Sequence, residues 1–227
     1  MERRDFLKAA AVLPAILPAS LEAMAAQGGL PLLKNEDKEG FYIRFYKPFR
    51  PPDINKWRLE VKGLCKNQKT FSLKDLMGLK KASQTTRMKC VECWSAKAQW
   101  GGFRPESLFE IVQPQKEALY LYFYTADDYY EYISLEDMRR QGVMFVYEMN
   151  GGPLPYEHGA PLRLIIPFKY GYKNVKTITK LSFVAKDGKG YWPKYGYSAD
   201  GTIETGADHP LDLGGIREIK KPGELEY

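Results

Sequence analysis

The sequence predicts an α+β domain built of mixed sheets with short helices. Three observations carry this expectation. Apolar side chains alternate at period two over several short stretches, serine residues stand where short helices would begin, and the two kinds of element follow one another irregularly rather than in strict β-α-β order. A chain of 227 residues suits one such domain of about 200 residues once a targeting segment is set aside. Hydrophobic residues at 44% and aromatics at 14% exclude a disordered chain. No stretch reaches the ~20 apolar residues that span a bilayer.

Trp57, Leu59 and Val61 alternate toward Gly63 and predict a half-buried strand, after which Ser72 predicts the N-cap of a short helix over Leu73 to Leu79. Thr85 to Lys89 read as a strand leading into Cys90, and Glu106 to Val112 as a helix. Ala118 to Tyr124 carry aromatics at period two. Tyr129 to Ile133 follow after the acidic turn Ala126-Asp127-Asp128, and Ser134 caps a helix expected to run through Arg140. Val143 to Met149 predict a further strand that stops at Asn150-Gly151-Gly152-Pro153. Two more apolar runs, Leu162 to Ile166 and Val175 to Val184, complete the set, and the tail from Tyr191 reads as loop.

The first 25 residues are read as an export signal. Arg3-Arg4 precede Phe6-Leu7-Lys8, then a short apolar run is broken by Pro14 and Pro18, with a small-x-small site at Ala23-Met24-Ala25. That order is the twin-arginine type of secretory signal; the prolines count against the alternative, an amphipathic helix that stays attached. The twin-arginine route carries folded proteins, so a periplasmic protein loaded with a cofactor before export is expected. Residues 26–56 read as an arm lying on the domain that spans 57–227, ordered around Phe41 to Tyr46. Three basic and three acidic residues fall within 1–25, so the net charge of +6 belongs to the rest of the chain. It is scattered without a basic block, which argues against a nucleic-acid partner and fits an anionic ligand or an acidic protein. Cys65, Cys90 and Cys93 are an odd number for an oxidising compartment, leaving at least one thiol unpaired.

Two segments concentrate the residue types that carry chemistry. In RMKCVECWSAKAQWGG (Arg87 to Gly102), Cys90 stands at the end of a strand, where a thiolate is fixed firmly enough to ligate a soft, heavy metal. Other readings of Cys90-x-x-Cys93 are half of a zinc site, a thioredoxin-like redox pair and a buried unreactive cysteine. Zinc lacks a second CxxC, the redox pair lacks its βαβ setting, and Trp94 stands where c-type haem attachment needs His. In MNGGPLPYEHGAPLRLIIPFKYGYKNVKTI (Met149 to Ile178), Gly and Pro turns surround His158, Arg163 and several lysines. Arg163 as a bidentate donor and Lys176 as a point charge suit a phosphate or pyrophosphate; the plain alternative is a solvated basic loop with a structural histidine.

Taken together, FYIRFYKP from Phe41, the strand ending in Cys90, TADDYYEYISLEDM from Thr125 and MNGGPLPYEHGAPLRLIIPFKYGYKNVKTITKL from Met149 resemble, in this order, the molybdopterin-binding oxidoreductase domain of the sulfite oxidase family. The resemblance implies a sulfite oxidase-like fold with molybdenum bound by molybdopterin and by the Cys90 thiolate. It implies that Thr125, His158 and Arg163 lie along the pterin and its phosphate. Asn174, Val175 and Lys176 would add backbone and ammonium contacts, and Tyr42, Ile43 and Arg44 would close over the cofactor from the arm. Tyr129 falls at the family's active-site tyrosine, with Tyr130 one residue away.

The animal and plant sulfite oxidases carry an arginine-rich stretch after the ligand cysteine. Here VECWS follows Cys90, which is closer to the catalytic subunits of bacterial periplasmic methionine sulfoxide reductases. The resemblance therefore implies oxygen-atom transfer with a small-molecule or protein-bound sulfoxide as substrate, by a monomer taking electrons from a membrane haem protein or cytochrome. Sulfite oxidation with a cytochrome acceptor is the alternative within the fold, and a metal-free binding module is the alternative outside enzymology.

Overall fold

The computed structural model describes residues 32–38 and 40–223; the predicted export signal lies outside them. Within the predicted arm, β1 (Glu36–Asp37) and β2 (Tyr42–Ile43) form a small antiparallel hairpin. Phe41, Ile43, Phe45 and Phe49 are buried, so apolar side chains pin this segment. Phe41 meets the rings of Trp94, Trp100 and His158 edge-on at centroid distances of 6.3, 6.2 and 5.3 Å.

The alternation starting at Trp57 becomes β3 (Arg58–Gly63), which lies in a five-stranded sheet ordered β4–β3–β12–β7–β8. The other strands of the sheet are β4 (Lys69–Ser72), β7 (Tyr120–Thr125), β8 (Tyr130–Ser134) and β12 (Ile178–Val184). The β3–β12 pair is parallel and the others antiparallel, so the sheet is mixed. Leu59, Val61, Leu121, Phe123, Ile133, Leu181 and Phe183 point into the main core. The period-two tyrosines take the other face, where Tyr122 stacks on Tyr132 at 4.2 Å. Short helices follow the sheet strands: α1 (Leu73–Met77) carries a reciprocal capping box between Ser72 and Asp75, α2 (Pro105–Val112) starts on a proline, and α3 (Leu135–Met138) is capped by Ser134. The last is shorter than predicted, because Arg139 already forms its C-cap.

The second sheet has seven strands: β5 (Lys81–Lys89), β6 (Trp94–Phe103), β9 (Met144–Met149), β10 (Gly152–Pro153), β11 (Arg163–Ile165), β13 (Gly206–Pro210) and β14 (Arg217–Ile219). Two sequence expectations are corrected by it. No strand was predicted at 94–103, yet β6 is the centre of the sheet, pairing with β5, β9 and β13. Trp94, Ala96, Ala98 and Trp100 enter a second core while Lys97 and Gln99 between them are exposed, so residues 94–100 do alternate at period two, and Phe103 reaches the main core beyond the irregularity between Gly101 and Gly102. Gly102 is required there, since a Cβ would lie 1.9 Å from the Phe145 carbonyl oxygen. The tail, predicted as loop, supplies β13 and β14.

The tail strand is bound by charge as well as by backbone pairing. Asp208, fully buried, accepts from Lys89 Nζ at 2.9 Å and from the Ser95 hydroxyl. Asp212 takes both terminal nitrogens of Arg87, at 2.6 and 2.9 Å. Removing one member of a buried pair strands the other charge, which costs about 3–5 kcal/mol. Asp208→Ala is therefore expected to lower unfolding stability by roughly 3 kcal/mol or more, as read by urea denaturation; a loss under 1 kcal/mol would show that the pair does not hold the tail.

Candidate functional site

Strand β5 delivers Cys90 to a cavity of about 370 Å³. The strand ends at Lys89, and the Cys90 amide donates to the Trp94 carbonyl at 2.8 Å, closing the turn into β6 with Cys93 left-handed at φ 64°. Cys90 is half-buried and lines the cavity, whereas Cys93 is exposed and does not; Cys65 sits in the main core. All three cysteines are free. The CxxC spacing therefore aims its two sulfurs at different surroundings. Among the described residues no three His, Cys, Asp or Glu side chains gather as a metal-binding group, which leaves the zinc reading without a ligand set. Burial pushes the Cys90 thiol above its ordinary pKa.

The basic segment brings cations to the same cavity. Arg163 starts β11 and is buried against Trp100, its guanidinium 5.0 Å from the ring. It donates to the His158 carbonyl at 2.8 Å and to Met88 Sδ at 3.3 Å, and its Nε has no partner. Trp100 Nε1 and Thr177 Oγ1 are also buried without partners, but of the three residues only Arg163 lines the cavity. Lys176 makes no ion pair among the described residues; its ammonium rests 3.7 Å from the centroid of the Phe45 ring. Burial and the neighbouring Arg163 charge push Lys176 down to about 7, and burial alone pushes Arg163 down to about 9. His158 is pushed down to about 4 by burial and then by Arg163 and Lys176, so it is neutral at pH 7. Arg163, buried, and Lys176, half-buried, thus line one cavity with no carboxylate at ion-pair distance among the described residues, an arrangement that suits a phosphate.

The arm forms another wall. Tyr42, Ile43 and Arg44 line the cavity, and the Arg44 guanidinium is held by Glu92 and Asp37 at 2.9 and 2.8 Å. Glu92 also accepts from Trp94 Nε1 at 3.1 Å, tying the arm to the turn after Cys90. Tyr129 lines the cavity with its hydroxyl turned toward Glu131, at 3.2 Å, and the Tyr172 carbonyl, at 2.8 Å. Burial first, and the Glu131 charge second, raise its pKa well above the ordinary phenol value.

Ten of the eleven residues expected at the site border this one cavity: Tyr42, Ile43, Arg44, Cys90, Tyr129, His158, Arg163, Asn174, Val175 and Lys176. Thr125 is the exception. Its hydroxyl donates to Asp127 at 2.6 Å or to the Tyr129 carbonyl at 2.8 Å, so it braces the wall from behind instead of meeting a ligand. Asn174 is placed at the cavity but its side chain is spent on the loop, accepting from the Ile166 amide and donating to the carbonyls of Ile166, Lys169 and Tyr170. Sequence reading missed Glu92, Asp127, Tyr172, Tyr191 and Trp192, which also line the cavity. Glu92 was open to discovery as the one acid in the cysteine turn; Tyr191 and Trp192 were not, since they arrive from the tail.

Residues 47–192 match the family model of the oxidoreductase molybdopterin binding domain, well over half of the chain. The chain belongs to this family. It is 31% identical over 175 residues to the protein-methionine-sulfoxide reductase catalytic subunit MsrP of Ralstonia nicotianae, covering 68% of this chain and 52% of that one. It is 25% identical over 246 residues to the MsrP of Campylobacter jejuni, covering 92% and 83%. The chain thus spans about half the length of the first relative. Among solved structures, the sulfane dehydrogenase SoxCD of Paracoccus pantotrophus superposes with a TM-score of 0.62 at 21% identity, over 68% of this chain and 45% of that one, which shows a shared fold. The family fit agrees with the cavity: a soft sulfur donor and two cations without an ion-pair partner among the described residues, all lining it, suit a metal held by a phosphate-bearing pterin.

The unbalanced cations have a pH signature. Lys176 falls from 10.5 to about 7 in the folded chain, so the cost of burying its charge is full below pH 7 and is relieved as pH rises from 7 toward 10.5. In cofactor-free protein, Lys176→Met is expected to raise the thermal midpoint at pH 6 by at least about 4 °C, with a smaller gain at pH 9. A gain that is constant or grows with pH would refute an unpaired ammonium at this position.

Proposed function

We propose that the chain is a periplasmic, molybdenum-dependent oxidoreductase that reduces sulfoxides, methionine sulfoxide among them, with electrons from a haem partner. The observation that carries this reading is the shared cavity of the Cys90 sulfur and the uncompensated pair Arg163 and Lys176. When bound, molybdenum on molybdopterin would supply oxygen-atom transfer, in which a sulfoxide, two electrons and two protons give a sulfide and water. Cys90 would hold the metal, giving up a thiol proton that burial otherwise retains. Arg163 and Lys176 would hold the phosphate, with neutral His158 beside them and the backbone around Asn174 and Val175 shaping the rest. Tyr42, Ile43 and Arg44 would cover the cofactor and exclude water, and Tyr129 would face the substrate.

Two relatives named as methionine-sulfoxide reductase catalytic subunits support the substrate class and a separate electron-supplying partner. The twin-arginine pattern supports residues 1–25 as a signal, with 26–56 as the arm and 57–227 as the catalytic domain. No helix among the described residues is long and apolar enough to cross a membrane; the haem is assigned to a separate membrane partner, with this chain acting as a monomer.

The decisive measurements are elemental analysis and a paired assay. Protein from a cofactor-competent host is expected to contain about one molybdenum per chain and to oxidise a reduced dye with methionine sulfoxide, but not to reduce ferricyanide with sulfite. Cys90→Ser should lose both metal and turnover, while Cys93→Ser keeps both. Equal loss in the two variants would instead indicate a two-cysteine redox site. Metal-free wild-type protein from that host would point to a binding module.

A further inference from the structure

Glu131 is a carboxylate on an apolar strand face. The period of β8 sets it beside Ile133, pointing inward, where it is fully buried. Three donors converge on it: Lys173 Nζ at 2.9 Å, the Tyr132 amide at 2.9 Å and the Tyr129 hydroxyl at 3.2 Å. Lys173 is buried too, and it stands in the 3₁₀ turn Gly171–Lys173 of the basic loop, one residue before Asn174. On a further side the backbone closes in, since a Cβ on Gly190 would lie 1.7 Å from Glu131 Oε1. No room is left there for water.

A buried ion pair is weak support for stability, because apolar residues of similar volume do as well or better. What sets this pair apart is its contact with the one phenol expected in the reaction. The Tyr129 hydroxyl has a single hydrogen, and both acceptors within reach, Glu131 and the Tyr172 carbonyl, are protein groups. We infer that Glu131, anchored by Lys173, is a positioning residue: it fixes the Tyr129 hydroxyl with its hydrogen committed to the protein, so that the tyrosine offers an oxygen lone pair to whatever enters the cavity. This rests on the sulfoxide reaction proposed above, with Tyr129 taking part in it.

The test uses Glu131→Gln, Tyr129→Phe and the two together, in molybdenum-loaded full-length protein. For methionine sulfoxide, E131Q is expected to lower kcat about tenfold or more with KM within about twofold. Added to Y129F, it should cost less than about twofold further, because its route of action is already gone. The same loss in both backgrounds would mean that Glu131 acts on the fold alone, and the inference would fall. Should E131Q fold poorly with Lys173 left unpaired, E131Q/K173M buries no lone charge and should show the same kcat loss.

A second readout needs no turnover. With 13Cζ-labelled tyrosine, the Tyr129 resonance, assigned by its absence in Y129F, should shift in E131Q. An unmoved resonance overturns the inference. If loaded wild-type protein reduces no sulfoxide, the substrate reading fails, and the resonance alone still decides whether Glu131 holds Tyr129.

Discussion

Nine consecutive residue pairs between β5 and β6, from Lys81 with Phe103 to Lys89 with Ser95, fix the point at which Cys90 leaves the sheet. Side chains alternate faces along a strand, so a slip of one residue would turn Cys90 away from the cavity and Met88 with it. The register is secured from both sides. β6 buries Trp94, Ala96, Ala98 and Trp100 in one apolar cluster and its end residue Phe103 in the main core, and the tail carboxylates Asp208 and Asp212 grip Lys89 and Arg87, one and three residues before the cysteine. A metal ligand needs its donor atom held within about half an ångström, and were Cys90 to serve as one, strands far apart in sequence would supply that precision.

The second constraint is electrostatic. Buried cations are ordinarily paired, and this protein follows that rule at Lys89, Lys169 and Lys173, each within 3.0 Å of a carboxylate. Buried Arg163 departs from it, and half-buried Lys176 lines the same cavity without an ion pair among the described residues. A fold that pairs its other buried charges so consistently, and then leaves two cations facing a common space, is arranged for an anion that arrives from outside the chain. The depressed pKa values of Lys176 and His158 follow from the same crowding of positive charge.

How far the sequence foretold this differs by element. Strands with one face in the core, such as β3 and β7, alternate visibly, and Ser72 and Ser134 mark their helices because a cap needs a hydroxyl at a fixed offset. β6 escaped although it alternates as well, Trp94, Ala96, Ala98 and Trp100 against Ser95, Lys97 and Gln99, because alanine is a weak apolar marker and the pattern lies within the cysteine motif. β13 escaped because its core-facing residue is Asp208, which reads as loop until Lys89 is seen opposite. At the site, Cys90, Arg163 and Lys176 stood out by residue type, as a soft donor and two cations among Gly and Pro turns, and all three line the one cavity. Thr125 was placed by resemblance and proves to brace the wall. Glu131 left a readable trace in period two, as a charge in the inward register of β8, but its meaning depended on Lys173, 42 residues away.

The arm shows why the cavity's chemistry and its closure are linked. Its exposed ion pairs, Arg44 with Asp37 and Glu92 and Lys47 with Asp128, contribute little in water. The buried Phe41, Ile43, Phe45 and Phe49 supply most of the attachment, at roughly 1.5–3 kcal/mol for each fully buried side chain. Phe45 is the member that also touches the cationic wall, with its ring 3.7 Å from the Lys176 ammonium. For a half-buried ammonium the ring contact is worth about 0.5–2 kcal/mol, whereas a hydrogen bond to a charged group contributes about 1.5–3 kcal/mol and a phosphate offers several acceptor oxygens. An anion in the pocket would therefore draw Lys176 from the ring it now rests on. The seating of residues 41–49 and the occupancy of the cationic pocket depend on the same side chain, although residues 41–46 lie outside the segment that defines the family.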